Sequence, residues 1–180
     1  IRISNSNEEI LSEAAEIIES TFDRSVEIEH QDDRVPCIRF HSATVARFFS
    51  NLGMETPKDG LELDHRLTTA PHADAFLRGL FDADGSVSAR DDGGSSVQFS
   101  TICSEFAQQV QLMLETYGVR ARRRERDRRG TFELETGQTI ESKSVQIHLE
   151  IYGHDIETYA KAVGFRCTQK SEALDTITHD

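Results

Sequence analysis

Apolar positions recur along the chain at two alternating spacings, one helical and one extended, and the switches between them predict the elements. Over residues 8–22, Ile10, Leu11, Ala14, Ile17 and Ile18 fall on one stripe of a helix, and Asn5, Ser6 or Asn7 stands where a cap is needed. Just ahead, Ile1 and Ile3 alternate with Arg2 and Ser4, as in a strand. Two short alternating runs follow at residues 26–29 and 35–40, then a helix over residues 44–52 that stops at Gly53. The same order returns later. Residues 97–100 read as a strand, and residues 104–117 as a helix with Phe106, Ala107, Val110, Met113 and Leu114 inward. Residues 119–127 and 145–151 read as strands, and residues 155–163 as a helix ending at Gly164.

Placing Glu9 on Glu105 puts Ile10 on Phe106, Ala14 on Val110 and Ile17 on Met113; further on, Val45 falls on Ile156, Phe48 on Tyr159 and Gly53 on Gly164. This predicts an internal duplication. The second copy has an extra opening: a helix over residues 72–84, a strand over residues 86–90, and a turn at Asp91-Asp92-Gly93-Gly94 leading into the strand at residues 96–100. The complete unit therefore reads αββαββα, while the first begins at its second strand. The expectation is an α+β chain with a partial first repeat over residues 1–66 and a complete second over residues 67–180. The opening helix and strand of the first repeat are expected upstream of Ile1, within a longer protein.

The helix that opens the second unit contains Leu77-Arg78-Gly79-Leu80-Phe81-Asp82-Ala83-Asp84-Gly85. Gly79 and Ala83 are four apart on one helical face, where small side chains let a second helix pack closely. Asp84 sits where the helix runs out, so two such helices side by side bring two carboxylates together. Such a pair repels unless divalent cations lie between them. The nine residues resemble the signature of the LAGLIDADG (dodecapeptide, DOD-type) homing endonucleases, identical at seven of nine positions, with Arg78 and Phe81 replacing Ala and Ile. Residues 76–86 are most similar to the versions embedded in inteins.

The resemblance covers essentially the whole chain. It implies the LAGLIDADG homing-endonuclease fold, two αββαββα repeats under a pseudo-two-fold β-saddle, and cleavage of both strands of a long, specific DNA duplex. It implies Mg²⁺ held by Asp84 for metal-assisted phosphodiester hydrolysis, and a lysine from each half near the metal. Lys170 matches the second of these; the first is Lys58 or, in another register, the position held by Glu62. Asp82 is implied to be structural. A host protein in cis follows from the intein context, although neither terminus shows a splicing block; Cys37, Cys103 and Cys167, read as free thiols of a reducing compartment, carry the expectation of a cytoplasmic location. The same fold also serves as a non-catalytic nucleic-acid-binding module in maturases and regulators. A decayed insert is a third alternative, one that fits Glu27, Glu29 and Glu62. With a single motif helix, this chain alone is expected not to cut DNA, and its open Gly79–Ala83 face predicts self-association.

Charge bears directly on the DNA expectation. Twenty Lys and Arg against thirty-two Asp and Glu give a formal net charge of −12, which argues against a nucleic-acid partner on average. Lysine is nearly absent, with Lys58, Lys143, Lys161 and Lys170 only, the composition of proteins soluble at very high salt and hence of a halophilic source. The positive charge is concentrated: between Val119 and Arg129 stand seven Arg against Glu125 and Asp127, a local net of +5 (7 − 2). Arg120, Arg122, Arg124, Arg126 and Arg128 share one face of a strand by its period of two. Gln146, His148 and Glu150 share the outer face of the returning strand, as do Ser86, Ser88, Arg90 and Gln98 on the first hairpin. In the family such faces lie on the major groove, where Arg suits guanine and phosphate and Gln suits adenine.

Several classes are excluded. The apolar runs are too short to cross a bilayer, and the N-terminus has no apolar signal region. Cys37, Cys103 and Cys167 are widely spaced and form no CxxC, so neither a disulfide framework nor a zinc site is expected.

Overall fold

The computed structural model describes residues 1–32, 34–54, 60–89, 94–127, 129–133 and 139–178, and it divides into two compact units, Ile1–Asn51 and Leu52–Asp180. The first unit runs β1 (Arg2–Ser4), α1 (Glu8–Phe22), β2 (Ile28–Glu29), β3 (Cys37–Arg39) and α2 (Ala43–Asn51). Of the three candidate caps, Asn7 is the one used: its side chain accepts the Glu9 N–H at 2.9 Å. Leu11, Ile18, Ile38, Phe40 and Val45 form this unit's core. The buried stripe of α1 is narrower than the spacing predicts, for Ile17 is 50% exposed. The strands expected at residues 26–29 and 35–40 are shorter, with the ladder limited to Ile28–Glu29 and Cys37–Arg39.

The second unit contains α3 (His65–Thr68), α4 (Ala73–Asp84), β4 (Gly85–Ser88), β5 (Ser96–Thr101), α5 (Ser104–Thr116), β6 (Arg122–Asp127), β7 (Gly130–Glu133), β8 (Thr139–Ser142), β9 (Val145–Tyr152), α6 (His154–Ala162) and α7 (Thr168–Thr178). An antiparallel sheet of order β4-β5-β9-β6 forms its centre, and β7 pairs with β8 in a separate ribbon. The succession α4-β4-β5-α5-β6-β9-α6 is the predicted αββαββα unit. Helices α3 and α7 are additions that the apolar periodicity does not predict.

The duplication is visible in the topology. The order β1-β3-β2 of the first sheet repeats the order β5-β9-β6 of the second, and each opening strand is followed by its helix. Gly53 and Gly164, matched by the sequence alignment of the halves, both take left-handed conformations, at φ +81° and +64°.

One face of the large sheet carries Val97, Phe99, Leu149 and Ile151, all buried and packed in one core with the helices. Phe81 of α4 is fully buried, with its ring 5.5 Å from that of Phe99 and 5.1 Å from that of Tyr159 on α6. This cluster fixes the motif helix to the sheet. The aromatic alignment between halves does not extend to burial: Phe48 is 52% exposed, whereas its counterpart Tyr159 is fully buried.

The chain leaves α4 and enters β4 without a linker, through Gly85. A Cβ there would lie 2.6 Å from the Phe81 carbonyl oxygen, so the backbone approach requires glycine. Gly85→Ala is therefore expected to lower stability by about 1–3 kcal/mol, the usual cost of overpacking, read as a shift of the urea midpoint with unchanged slope. An unshifted midpoint would show that the helix-to-strand junction relaxes freely.

Candidate functional site

The motif helix presents two faces of opposite character. Leu77 and Phe81 are buried in the unit's core, while Ala75, Gly79 and Ala83, each four residues apart, form an exposed stripe of small side chains. A Cβ added at Gly79 would meet nothing within 4 Å. The stripe ends at Asp84, the last helical residue, whose side chain is exposed.

The end of α4 is braced by its neighbour in the motif. Asp82 is 5% exposed, and its carboxylate accepts the backbone N–H groups of Arg166 at 3.0 Å and Cys167 at 3.1 Å. These are the amides that lead into α7, so Asp82 serves as an N-terminal anion for that helix. In the other direction, the Lys170 ammonium donates to the carbonyl oxygens of Phe81 at 3.0 Å and Asp82 at 2.5 Å. Cation at one helix C-terminus and carboxylate at the next N-terminus thus hold Asp84 between them. Partial burial pushes the Lys170 amine below its ordinary value, opposed by Cys167, Asp82 and Asp84. Arg78, where the family's signature has Ala, sits on another side of the helix, its Nε donating to the Val163 carbonyl at 2.6 Å and its Nη2 3.6 Å from Asp74.

The sheet face opposite the core collects the expected DNA-facing residues in rows. Ser86, Gln98, Glu150 and Arg122 lie in one row across β4, β5, β9 and β6. Ser100, His148 and Arg124 form the next, and Gln146 stands opposite Arg126. Ser88 pairs with Ser96 and so with Tyr152. The strand carrying the arginines starts only at Arg122, later than the alternation predicts. The Arg120 N–H goes instead to the Asp155 carboxylate at 3.0 Å, so Arg120 is exposed but precedes the strand. Arg90, Arg128 and Lys58 lie outside the described residues.

Two members of the outer rows are not open to solvent. His148 is 6% exposed, with Nδ1 3.0 Å from the Ser100 hydroxyl. Glu150 is 1% exposed; its carboxylate takes a hydrogen bond from Arg126 Nη2 at 3.0 Å and one from the Tyr152 hydroxyl at 2.8 Å, and Arg124 Nε lies 3.2 Å away. Burial and the bond to Glu150 together push the Tyr152 phenol up. The expectation that these two side chains reach outward is corrected: they form a buried polar layer beneath half-exposed arginines. Adding Glu150 to the local count brings the net of +5 to +4. Arg129 is paired with Asp127 at 2.6 Å, which holds that carboxyl down at about 2. Arg123, on the core side of the strand, donates to the Ser104 hydroxyl at 2.8 Å. Arg122, with its guanidinium carbon 5.9 Å from the Tyr152 ring, is exposed on the outer face.

Beside the motif helix, an open cavity of about 560 Å³ is lined by Leu61, Phe76, Leu80, Ile102 and Phe106, with Asp84 and Gln146 on its wall. Among the described residues no group of three or more His, Cys, Asp or Glu is arranged to hold a metal ion. Asp84 alone offers an exposed carboxylate at the helix end, a hard oxygen donor of the kind Mg²⁺ takes. It fits a divalent cation as one ligand of a set whose remaining oxygens come from other groups. Two side chains that matter here escaped the periodicity. Glu150 hides as one more polar position of an alternating strand, though its place opposite the arginine strand marks it; Tyr152 has no sequence signal.

Comparison with known proteins agrees with the architecture. The family model for the LAGLIDADG-like domain matches residues 72–164. The B subunit of the A-type ATP synthase of Methanopyrus kandleri is 28% identical over 178 residues, which are 99% of this chain and 15% of that protein. The chain thus spans about a seventh of the length of that relative. Among solved structures, the homing endonuclease I-DmoI in complex with DNA and Mn superposes with a TM-score of 0.61 at 15% identity, covering 91% of this chain and 80% of that one. Full-length DUF199/WhiA from Thermatoga maritima superposes with a TM-score of 0.54 at 15% identity, over 99% of this chain and 51% of that one. At these identities the structures speak for the fold. With the motif at residues 77–85 inside the matched span and the αββαββα unit around it, the chain belongs to the LAGLIDADG-like domain family.

Proposed function

We propose that this chain is part of a site-specific, double-strand DNA homing endonuclease of the DOD type, carried by an intein and hydrolysing phosphodiester bonds with Mg²⁺. The observation that carries this reading is the exposed Asp84 carboxylate at the end of an exposed small-residue stripe, with the Lys170 ammonium beside it. A second motif helix laid on Ala75, Gly79 and Ala83 would bring a second carboxylate to Asp84. Mg²⁺ supplies Lewis acidity toward the phosphate and lowers the pKa of a bound water. Lys170 commits two of its three N–H donors to carbonyls, which leaves one for a phosphate oxygen. Lys58, or the exposed position of Glu62, is its counterpart in the first half.

The intein assignment draws support from the relative in Methanopyrus kandleri. An ATP synthase has no use for a DNA-cleaving fold, yet a stretch making up 15% of that protein is similar to 99% of this chain. Insertion of a mobile element into an unrelated host accounts for that. The net charge of −12 and the scarcity of lysine fit a halophilic source. On the sheet, Arg120, Arg122, Arg124, Arg126, Gln98, Gln146 and Ser88 are assigned to the DNA duplex, together with Arg90 and Arg128, while His148 supports from beneath. A non-catalytic DNA-binding module is the second reading, favoured in that no three His, Cys, Asp or Glu gather to hold a metal among the described residues.

Asp84→Asn in the full-length protein is expected to abolish cleavage of the cognate duplex while leaving affinity within a few-fold, since the carboxylate holds metal and touches no base. Plasmid linearisation and a binding titration decide; undiminished cutting by the variant overturns the assignment, and binding without cutting by the wild type selects the second reading.

Replacing Arg122, Arg124 and Arg126 with Ala is expected to weaken DNA binding and flatten its salt dependence, by about one unit of log–log slope for each phosphate no longer neutralised. An electrophoretic titration with unchanged affinity and slope would return this strand to the role of a solvated edge.

The Lys170 amine is expected to lose its proton below the ordinary 10.5. Because the folded value lies below the unfolded one, the unfolded chain binds more protons in the interval between them, and stability rises with pH across that interval. Lys170→Met should remove this alkaline rise in a series of denaturation curves. With four lysines in the chain, the Lys170 Nζ resonance can also be followed directly by NMR.

A further inference from the structure

The buried layer beneath the arginines has a chemistry that a mere electrostatic patch does not need. A DNA-binding face built for non-specific attraction gains nothing from an enclosed carboxylate, because each buried negative charge cancels one positive charge and costs desolvation. Glu150 is nonetheless enclosed, at the centre of the face, and both of its oxygens are engaged. Oε1 receives Arg126 Nη2 at 3.0 Å, while Oε2 is 2.8 Å from the Tyr152 hydroxyl and 3.2 Å from Arg124 Nε. The two guanidinium groups, which belong to side chains 48% and 42% exposed, therefore converge on one point below the surface.

The geometry leaves the two arginines unequal. Arg124 comes nearest the carboxylate through Nε, at 3.2 Å, and its terminal nitrogens, Nη1 and Nη2, make no hydrogen bond among the described residues, which leaves that edge for another acceptor. That edge is the fork that matches the O6 and N7 acceptors of guanine in the major groove. Arg126 meets the carboxylate through Nη2, one of its own terminal nitrogens, and so commits part of its fork to bracing. Tyr152 braces from the other side. An arginine free to rotate loses rotamer entropy on each encounter and settles on phosphates as readily as on bases. One held at Nε has given up that freedom in advance and presents a single orientation.

We propose that Glu150 is a specificity-determining positioning residue, a buried carboxylate that aims the terminal edge of Arg124 at a guanine of the target duplex. This rests on the DNA-binding reading above and adds to it what the face selects: a G·C pair opposite Arg124, read through an orientation that Glu150 sets. The carboxylate trades overall attraction for discrimination.

The test uses the full-length protein, with Glu150→Gln, which keeps the shape, and Glu150→Met, an apolar replacement of a kind often tolerated at buried ion pairs. Each is titrated against two duplexes of equal length, one built of G·C pairs and one of A·T pairs, over a series of salt concentrations. The wild type is expected to prefer the G·C duplex. In either folded variant that preference should fall by about tenfold, the value of one good base contact. Binding to the A·T duplex should at the same time tighten, with a salt slope steeper by about one unit as the released arginines turn to phosphates. A structural role alone weakens both duplexes in parallel and leaves the slope as it was, and that result overturns the proposal while the DNA-binding reading stands. Failure of the wild type to bind either duplex at low salt overturns the reading itself. Should Glu150→Gln not fold, Glu150→Met decides by the same outcomes. Should neither fold, Tyr152→Phe, which removes only the bracing hydroxyl, decides by whether the G·C preference falls.

Discussion

The reciprocal brace between two helix ends is the interaction on which the candidate site depends. A buried Asp82 carboxylate meets the amides of Arg166 and Cys167, and the Lys170 ammonium returns to the carbonyls of Phe81 and Asp82. Each helix terminus has unsatisfied backbone groups, and each is satisfied by a side chain of the other. The pairing fixes where α4 ends and where α7 begins, and with them the place of Asp84. It also explains a division of labour between two aspartates separated by one residue. Asp82 turns inward and is consumed by structure, whereas Asp84, a helical step of about 200° further round, stays exposed.

The sheet follows a comparable logic on a broader surface. Its inner face is apolar and anchors α4 through Phe81, Phe99 and Tyr159. Its outer face is polar but only partly wet, because His148, Glu150 and Ser96 are buried there among longer side chains. Such a layer cannot be moved residue by residue without leaving a polar group unpartnered. The arginines above it are therefore set by their foundations as much as by their own rotamers.

Much of this was legible from sequence, for identifiable reasons. The helix stripes and strand alternation of the second half survive because a two-sided sheet packed on helices enforces both periods, and the nine-residue motif located the exposed aspartate. The internal duplication was readable from paired apolar positions and from Gly53 and Gly164. What failed has equally physical causes. Ile17 and Phe48 carry the right period but lie exposed, since periodicity reports which residues share a face and not what covers that face. The start of β6 was misplaced because Asp155 claims the Arg120 amide, a partner 35 residues distant that no local pattern contains. Helix α7 went unread because its apolar positions are sparse; a cap borrowed from Asp82 and a packed Leu174 sustain it instead. Glu150 reads as an outward strand position, and only the tertiary arrangement of Arg124, Arg126 and Tyr152 buries it there.

The ribbon of β7 and β8 is joined to the sheet only by chain continuity among the described strands, each of its two members pairing with the other alone. It continues from β6 and returns into β9, the two strands that carry Arg124 and Glu150. Lengthening or shortening it therefore leaves the register Arg124↔His148 and Arg126↔Gln146 untouched. This separates two heritable quantities. The length of the extension can drift by insertion and deletion, while the side chains on the outer face of the sheet change only by point substitution.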